Sequence, residues 1–299
     1  MTWINQIVQG VLLGGYYAVL ACGLSLMFGV MRIINLAHGD LAVLGAFLVF
    51  VLSEHGVSPW VALAPVLAVM ALFGWGLQRT MLERSLRSGV LTPLLTTFGL
   101  AIVIQNLLFE RFGADERSLF PYIGTLGFDS WTITSQIRVA KLYVLIFVVA
   151  VALLGGLQLF LSRTQLGRSL RATAEDADTA ELVGVNSRAV YALAAAIAVA
   201  TAALAGAFLG MRSSFDPYSG SQQLIFAFEA VVIGGLGSLW GTLAGGIVLG
   251  VSQNIGAQIN PQWFLLAGNV VFLAILIARL LLSGLSARGG FRAIVGQRV

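Results

Sequence analysis

Charge is the scarcest thing in this sequence. Only 10% of its 299 residues are Asp, Glu, Lys or Arg, and 58% are hydrophobic. A soluble domain is about 25% charged and 45–50% apolar. The mean hydropathy is +0.92. A water-soluble fold of this length cannot hide so many apolar side chains, because much of any surface meets water. That excludes a cytosolic enzyme, a nucleic-acid binder and a disordered chain, and makes lipid the main solvent. Lysine is almost absent: of 17 basic residues, only Lys141 is not arginine. It follows Val139-Ala140 with no glycine loop, so there is no GxxxxGK[ST] phosphate cradle and no P-loop for ATP. Cys22 is the single cysteine, which excludes an internal disulfide and a cysteine-based metal site. His38 and His55 are the only histidines, and no HExxH or GxSxG occurs. No metal, cofactor or catalytic residue is therefore expected in the chain itself. Ser25, His38 and Asp40 lie close enough to test as a protease constellation, but polar residues near a helix end are the simpler reading.

Glycine and long apolar runs are abundant instead. There are 35 glycines, well above the usual share of about 7%, and in lipid glycine lets helices pack closely. A crossing helix needs about 20 apolar residues. The gaps between charges predict spans over Ile7–Val30, Ile34–Ser53 (interrupted by Asp40), His55–Gln78, Ser88–Phe109, Leu142–Ser162, Ala189–Met211 and Trp263–Leu282. The uncharged run Ala230–Ala278 is 49 residues long, too long for one span, and Asn260-Pro261 marks a turn in it. Gly234-Gly235-Leu236-Gly237-Ser238 cuts Gly220–Ala257 into two short pieces, either two short spans or a re-entrant hairpin. The expected fold is all-α and polytopic, with about eight to nine membrane segments in one domain covering residues 1–299.

The basic residues orient it. Arg32, Arg79, Arg84, Arg87, Arg163, Arg168, Arg171, Arg188, Arg279, Arg288, Arg292 and Arg298 fall on one side. Arg111, Arg117, Arg138, Lys141 and Arg212 fall on the other. The first set marks the cytoplasm, which puts the N-terminus outside and the C-terminus inside. The first charge is Arg32, so the N-terminal apolar segment reads as a retained span rather than a removable leader. Three polar segments follow: an outside loop over 110–141, an inside segment over 162–188 and an inside tail over 283–299.

The inside segment is the most informative. Thr173 is expected to cap a short helix, with Glu175, Asp176 and Asp178 near its positive dipole end. Ala177, Ala180, Glu181 and Gly184 recur at helical spacing, a small face that another surface can approach. Leu182, Val183 and Val185 add apolar contact, and Gly184 suits the helix end. Such a helix is either a passive loop or the piece that a cytoplasmic motor pushes. Within the spans, Asn35, His38 and Asp40 interrupt an apolar stretch, and Gly39 permits a break there. Ionisable groups at membrane depth face a cavity or a partner. They line or gate a path, or they satisfy loosened backbone; Glu229 poses the same choice. Gly234, Gly235, Gly237, Gly241 and Gly245 serve helix packing or a permissive gate. Asp115, Glu116, Arg117 and Asp129 in the outside loop either dock a soluble partner through rim charges or are simply solvated.

Three stretches, in order, carry a family resemblance. They are Ile34-Asn35-Leu36-Ala37-His38-Gly39-Asp40; Arg171-Ala172-Thr173-Ala174-Glu175-Asp176 with Ala180 and Gly184-Val185-Asn186; and Val231-Val232-Ile233-Gly234-Gly235-Leu236-Gly237-Ser238. Together they resemble the LivH-type permeases of branched-chain amino acid ABC importers, over about residues 8–282. The departures are Val185, where Ile is common, and Glu229, where members vary. The resemblance implies a permease of the bacterial inner membrane without ATPase activity. It implies a second permease of the LivM type, two ATPase subunits that hold ATP and Mg, and a periplasmic substrate-binding protein. It also implies that Arg171, Ala174, Glu175, Asp176, Ala177, Ala180, Glu181, Gly184 and Asn186 form the ATPase-coupling segment. Branched-chain or other apolar amino acids are the implied cargo. Urea, amides and aromatic acids stay open as cargo, as does an ATP-independent carrier or channel for a small neutral solute.

Overall fold

The computed structural model describes residues 3–86, 89, 91–134 and 137–295. Arg87 and Arg298 of the charge pattern, Ser88 at the start of a predicted span and residues 296–299 of the tail lie outside the described residues.

The helices are α1 (Trp3–Met31), α2 (His38–Glu54), α3 (Pro59–Leu77), α4 (Glu83–Leu86), α5 (Leu91–Phe112), α6 (Lys141–Arg163), α7 (Gln165–Glu175), α8 (Ala177–Leu182), α9 (Ser187–Arg212), α10 (Gly220–Gly234), α11 (Leu239–Ile259) and α12 (Trp263–Val295). A π-helical stretch, Gln78–Leu82, joins α3 to α4. Two short antiparallel strands, β1 (Ser130–Thr134) and β2 (Ile137–Ala140), interrupt the otherwise helical chain. The β-branched and aromatic run Trp131-Thr132-Ile133-Thr134 favours extended backbone there.

The protein is a helical multi-pass membrane protein. Among the described residues six helices are long and apolar enough to cross a membrane, or seven spans if one bent pair counts as one. That count leaves out one short helix and takes one bent pair at most as a single span, whereas the expected eight to nine segments include short and re-entrant helices. Helix α2 has only 17 residues. Helices α10 and α11 meet at 115° and are unequal, 15 and 21 residues.

Helix α1 is central, with 89% of its apolar stretch buried, while only 6% of that of α12 is covered. Glycine explains the centre. A Cβ on Gly14 would strike the backbone of Ile247, and one on Gly246 would strike the Gly14 carbonyl, so α1 and α11 touch backbone to backbone. Gly241 and Gly245 press in the same way against Gly234 and Ala230 of α10. The glycine run therefore brings helix backbones into close approach. Its turn is made at Gly235 and Gly237, with φ of 101° and 82°.

Candidate functional site

Helix α1 ends at Met31, and Arg32 turns the chain with a left-handed φ of 54°. The next residues climb back along α1. His38 Nε2 lies 2.7 Å from the Leu20 carbonyl, so Nε2 carries the proton. Leu20 is eleven residues before Met31, or about 16 Å along the helix. Helix α2 thus begins at mid-depth rather than at the membrane edge, later than the Ile34 start read from charge gaps. The returning segment has its polar backbone satisfied, as lipid requires. Asn35 Oδ1 accepts from the Ala37 N–H at 3.0 Å, and the Leu36 N–H donates to Thr97 Oγ1 at 3.1 Å.

Helix α10 also starts at this level. A Cβ on Gly39 would fall on the Gly220 carbonyl, and one on Gly220 would fall on the Asp40 carboxylate. Gln105 of α5 bridges both first turns, donating to Asp40 Oδ1 at 2.8 Å and Ser221 Oγ at 3.3 Å. Two helix N-termini, with their positive dipole ends, therefore meet inside the bundle around Asp40. Asn35, His38 and Asp40 are all buried in these contacts.

Beside this junction lies a cavity of about 330 Å³ between α1, the end of α9, α10 and the start of α12. Tyr17, Gln223 and Phe226 are buried at its wall, and Arg212, Phe264 and Leu265 also line it. The guanidinium of Arg212 sits 4.5 Å from the Tyr16 ring centroid and 5.9 Å from that of Tyr143. Tyr143 hydrogen-bonds the guanidinium, whereas the hydroxyls of Tyr16 and Tyr17 go to glutamines. Tyr16 donates to Gln223 Oε1 at 2.6 Å, and Tyr17 donates to Gln253 Oε1 at 2.5 Å. Arg212 had read as a loop charge. Its cation–π contact with Tyr16 instead places it at membrane depth, and neither the tyrosine pair nor the two glutamines stand out in the sequence. Glu229 lies one turn along α10 from Phe226, buried, with Oε2 lacking a partner among the described residues.

The arginine-rich end carries the segment 162–188. Two helices form there, not one. Thr164 caps α7 by accepting from the Gly167 N–H at 2.9 Å. Asp176 caps α8, accepting from the N–H groups of Asp178 and Thr179 and from Thr179 Oγ1. Thr173, the expected cap, is buried inside α7; Asp176, with its extended φ of −153°, makes the break instead. The Thr179 hydroxyl, then the Thr179 and Asp178 amides, hold the Asp176 carboxyl below the usual carboxylate range. Gly184 follows α8 with φ 88°.

Only part of the small face points outward: Glu181 and Gly184 are exposed, Ala177 is half-buried. Ala180 is buried, and Ser187 Oγ donates to the Ala177 carbonyl at 3.3 Å, so the chain's own α9 base approaches that face. Leu182 and Val183 also project, 87% and 77% exposed. Glu175, Glu181 and Asn186 are exposed, and Asn186 caps α9 through the Ala189 N–H. Arg188 pairs with Glu83 at 3.1 Å, fastening this end to α4. Arg171 and Ala174 line a cavity of about 110 Å³ with Gly29 and Gly237, so α7 faces the glycine turn across it. Arg279 donates to the Val232 and Ile233 carbonyls from the other side of that turn.

At the opposite end, the charges of the 110–141 loop are engaged within the chain. Asp115 lies 3.6 Å from Arg117, Ser214 donates to Glu116 at 2.6 Å, and Lys141 pairs with Asp129 at 2.8 Å. Arg117 also bridges Phe215 through its backbone.

Broken helices that meet at mid-depth beside a cavity with a polar wall are the architecture of a membrane transport protein. The comparisons give the family. The model of the branched-chain amino acid transport system permease component matches residues 6–280, and the chain belongs to that family. It is similar to the high-affinity branched-chain amino acid transport system permease protein BraD of Pseudomonas aeruginosa, 33% identical over 269 residues, 86% of this chain and 87% of BraD. LivH of Salmonella typhimurium, a permease protein of the same description, is 30% identical over 294 residues, 93% of each chain. LivM of Escherichia coli K12, also a permease protein of such a system, is 26% identical over 286 residues, 86% of this chain and 65% of LivM.

Proposed function

We propose that the chain is one membrane-spanning subunit of an ATP-binding-cassette importer of the bacterial inner membrane, moving branched-chain or other apolar amino acids inward. The observation that carries the coupling role is the α7–α8 pair at the arginine-rich end. It offers two bare apolar side chains, Leu182 and Val183, at the end of a capped helix, and it faces the glycine turn between α10 and α11 across a small cavity. A push on α8 from an ATPase subunit reaches that turn through Arg171 and Ala174 of α7. The turn then moves α10, whose other end meets α2 at Asp40. His38 and Asp40 hold the two half-helices beside the path; Glu229, buried on α10, is the side chain that faces the passing solute.

ATP and Mg belong to two partner ATPase subunits. A permease of the LivM type completes the pore, and a binding protein delivers cargo to the face bearing Asp115, Glu116, Arg117 and Asp129. The N-terminus then lies outside and the tail inside. The test is labelled leucine uptake into proteoliposomes holding both permeases and both ATPases, with the binding protein outside relative to the transporter. Uptake is expected to need all parts and ATP. Uptake by this chain alone, without ATP, overturns the reading in favour of a channel or carrier.

A further inference from the structure

Arg212 is the only charged residue in the wall of the 330 Å³ cavity. Among the described residues no carboxylate pairs with it, and its buried Nε has no acceptor. An uncompensated charge at membrane depth is costly, and residues of this kind persist where they serve a solute. The Tyr16 ring offsets part of that cost through its π face, and the Tyr143 side chain takes one hydrogen bond from the guanidinium, but Nε keeps no acceptor. A guanidinium fork matches a carboxylate, with two parallel N–H···O bonds. The same cavity reaches Ser219, the residue before α10, while the start of α10 itself is faced by Asp40. Phe226, Phe264 and Leu265 supply an apolar wall. Hydroxyl and amide oxygens of Ser213, Ser214 and Gln222 accept hydrogen bonds at the rim. A cavity of about 330 Å³ falls at the low end of small-ligand pockets, about 300–1,000 Å³.

We infer that this cavity is the entry site for cargo in the permease. Arg212 binds the α-carboxylate of an aliphatic amino acid, the side chain lies against Phe226, Phe264 and Leu265, and the ammonium group meets the serine and glutamine oxygens. The inference rests on the amino acid importer reading and adds the residue that recognises the cargo's head group.

The probe is photo-leucine, applied to the reconstituted complete complex, with leucine uptake and binding-protein-stimulated ATP hydrolysis measured in parallel. In the wild type, label is expected on peptides containing Phe226 or Leu265. Leucine should compete for it; 3-methylbutylamine, the same alkyl amine without a carboxylate, should not. R212Q is expected to lose at least tenfold in labelling and uptake, with stimulated hydrolysis within twofold of wild type; R212K should retain an intermediate level. Leu265→Trp, which fills the cavity from α12 and leaves Arg212 intact, should lower uptake similarly and guards against a folding defect in R212Q. Equal labelling and uptake in wild type and R212Q, or competition by the amine as strong as by leucine, overturns the site alone. A wild-type complex that does not import leucine overturns the transport reading and the site with it.

Discussion

The residue that best separates packing from chance is Gly39. A methyl group there would meet the Gly220 carbonyl and the Leu224 backbone, which are rigid parts of another helix. Overpacking of this kind costs about 1–3 kcal/mol, and here it would also push apart the two helix starts. Gly99 on α5 has open space around it. Its replacement by Ala removes backbone freedom from a helix interior and is stabilising by about 0.5–1 kcal/mol. Gly39→Ala should therefore lower the melting temperature of the purified complex and reduce transport, whereas Gly99→Ala should leave transport unchanged and melting equal or higher. Equal melting of the two variants would show that α2 and α10 do not meet as described. The sequence marks Gly39 as a place where a helix can break, but not as a point where two helices touch. The difference lies wholly in which helix crosses which, and a single chain does not reveal that before it folds.

At the scale of elements, the coupling segment supplies the sharpest expectation. Leu182 and Val183 are exposed, so replacing both by Ser removes apolar docking surface at little cost to folding. The double variant should still insert and co-purify with its partner permease, while ATPase co-purification falls several-fold. Unchanged ATPase recovery would sink the docking role of α8. The cap carries a pH signature. Bonds from Thr179 and Asp178 depress the Asp176 carboxyl, so its stabilisation is complete above the unfolded carboxylate value of about 3.9. It is lost only as pH falls through the lower folded value. Coupled hydrolysis should thus show no Asp176-dependent change from pH 8 down to about 5 in the wild type. Asp176→Asn, which keeps the cap, should match it, and Asp176→Ala should loosen amide protection in 177–182.

These elements also show what the sequence makes legible. Spans α1, α3, α5, α6, α9 and α12 were readable because a charge in lipid is expensive, so charges mark their ends. The polar helical segment over 162–188 and the Gly184 helix end were readable because polar composition and glycine act locally. Helix α2's mid-depth start and the depth of Arg212 were not. Both depend on where a neighbouring helix stands: Leu20 of α1 receives His38, and Tyr16 receives Arg212. The same limit hid the inward turn of Ala180, which packs against the base of α9.

For the whole molecule, orientation is the remaining expectation, and the structure allows it to be posed at two points. One end gathers Arg32, Arg171, Arg188 and Arg279 around the coupling segment and the glycine turn; the other holds the hairpin β1–β2 and the loop bearing Asp115. Positive charge near span ends is retained in the cytoplasm, so the first end belongs inside. That placement is also the only one in which Leu182 and Val183 can meet a cytoplasmic ATPase while the Arg212 cavity, lined by Tyr17 midway along α1 and by the end of α9, receives cargo from outside. The native Cys22 is buried and does not compete for a thiol reagent, so single cysteines can be added to the otherwise unaltered chain. Asp115→Cys and Ala172→Cys sit at exposed positions on the two ends. In intact spheroplasts a membrane-impermeant maleimide should label Asp115→Cys at once and Ala172→Cys only after permeabilisation. The reverse pattern would invert the molecule. It would put the docking helix where no ATP is available, and the importer mechanism would fail at its energy source rather than at its cargo site.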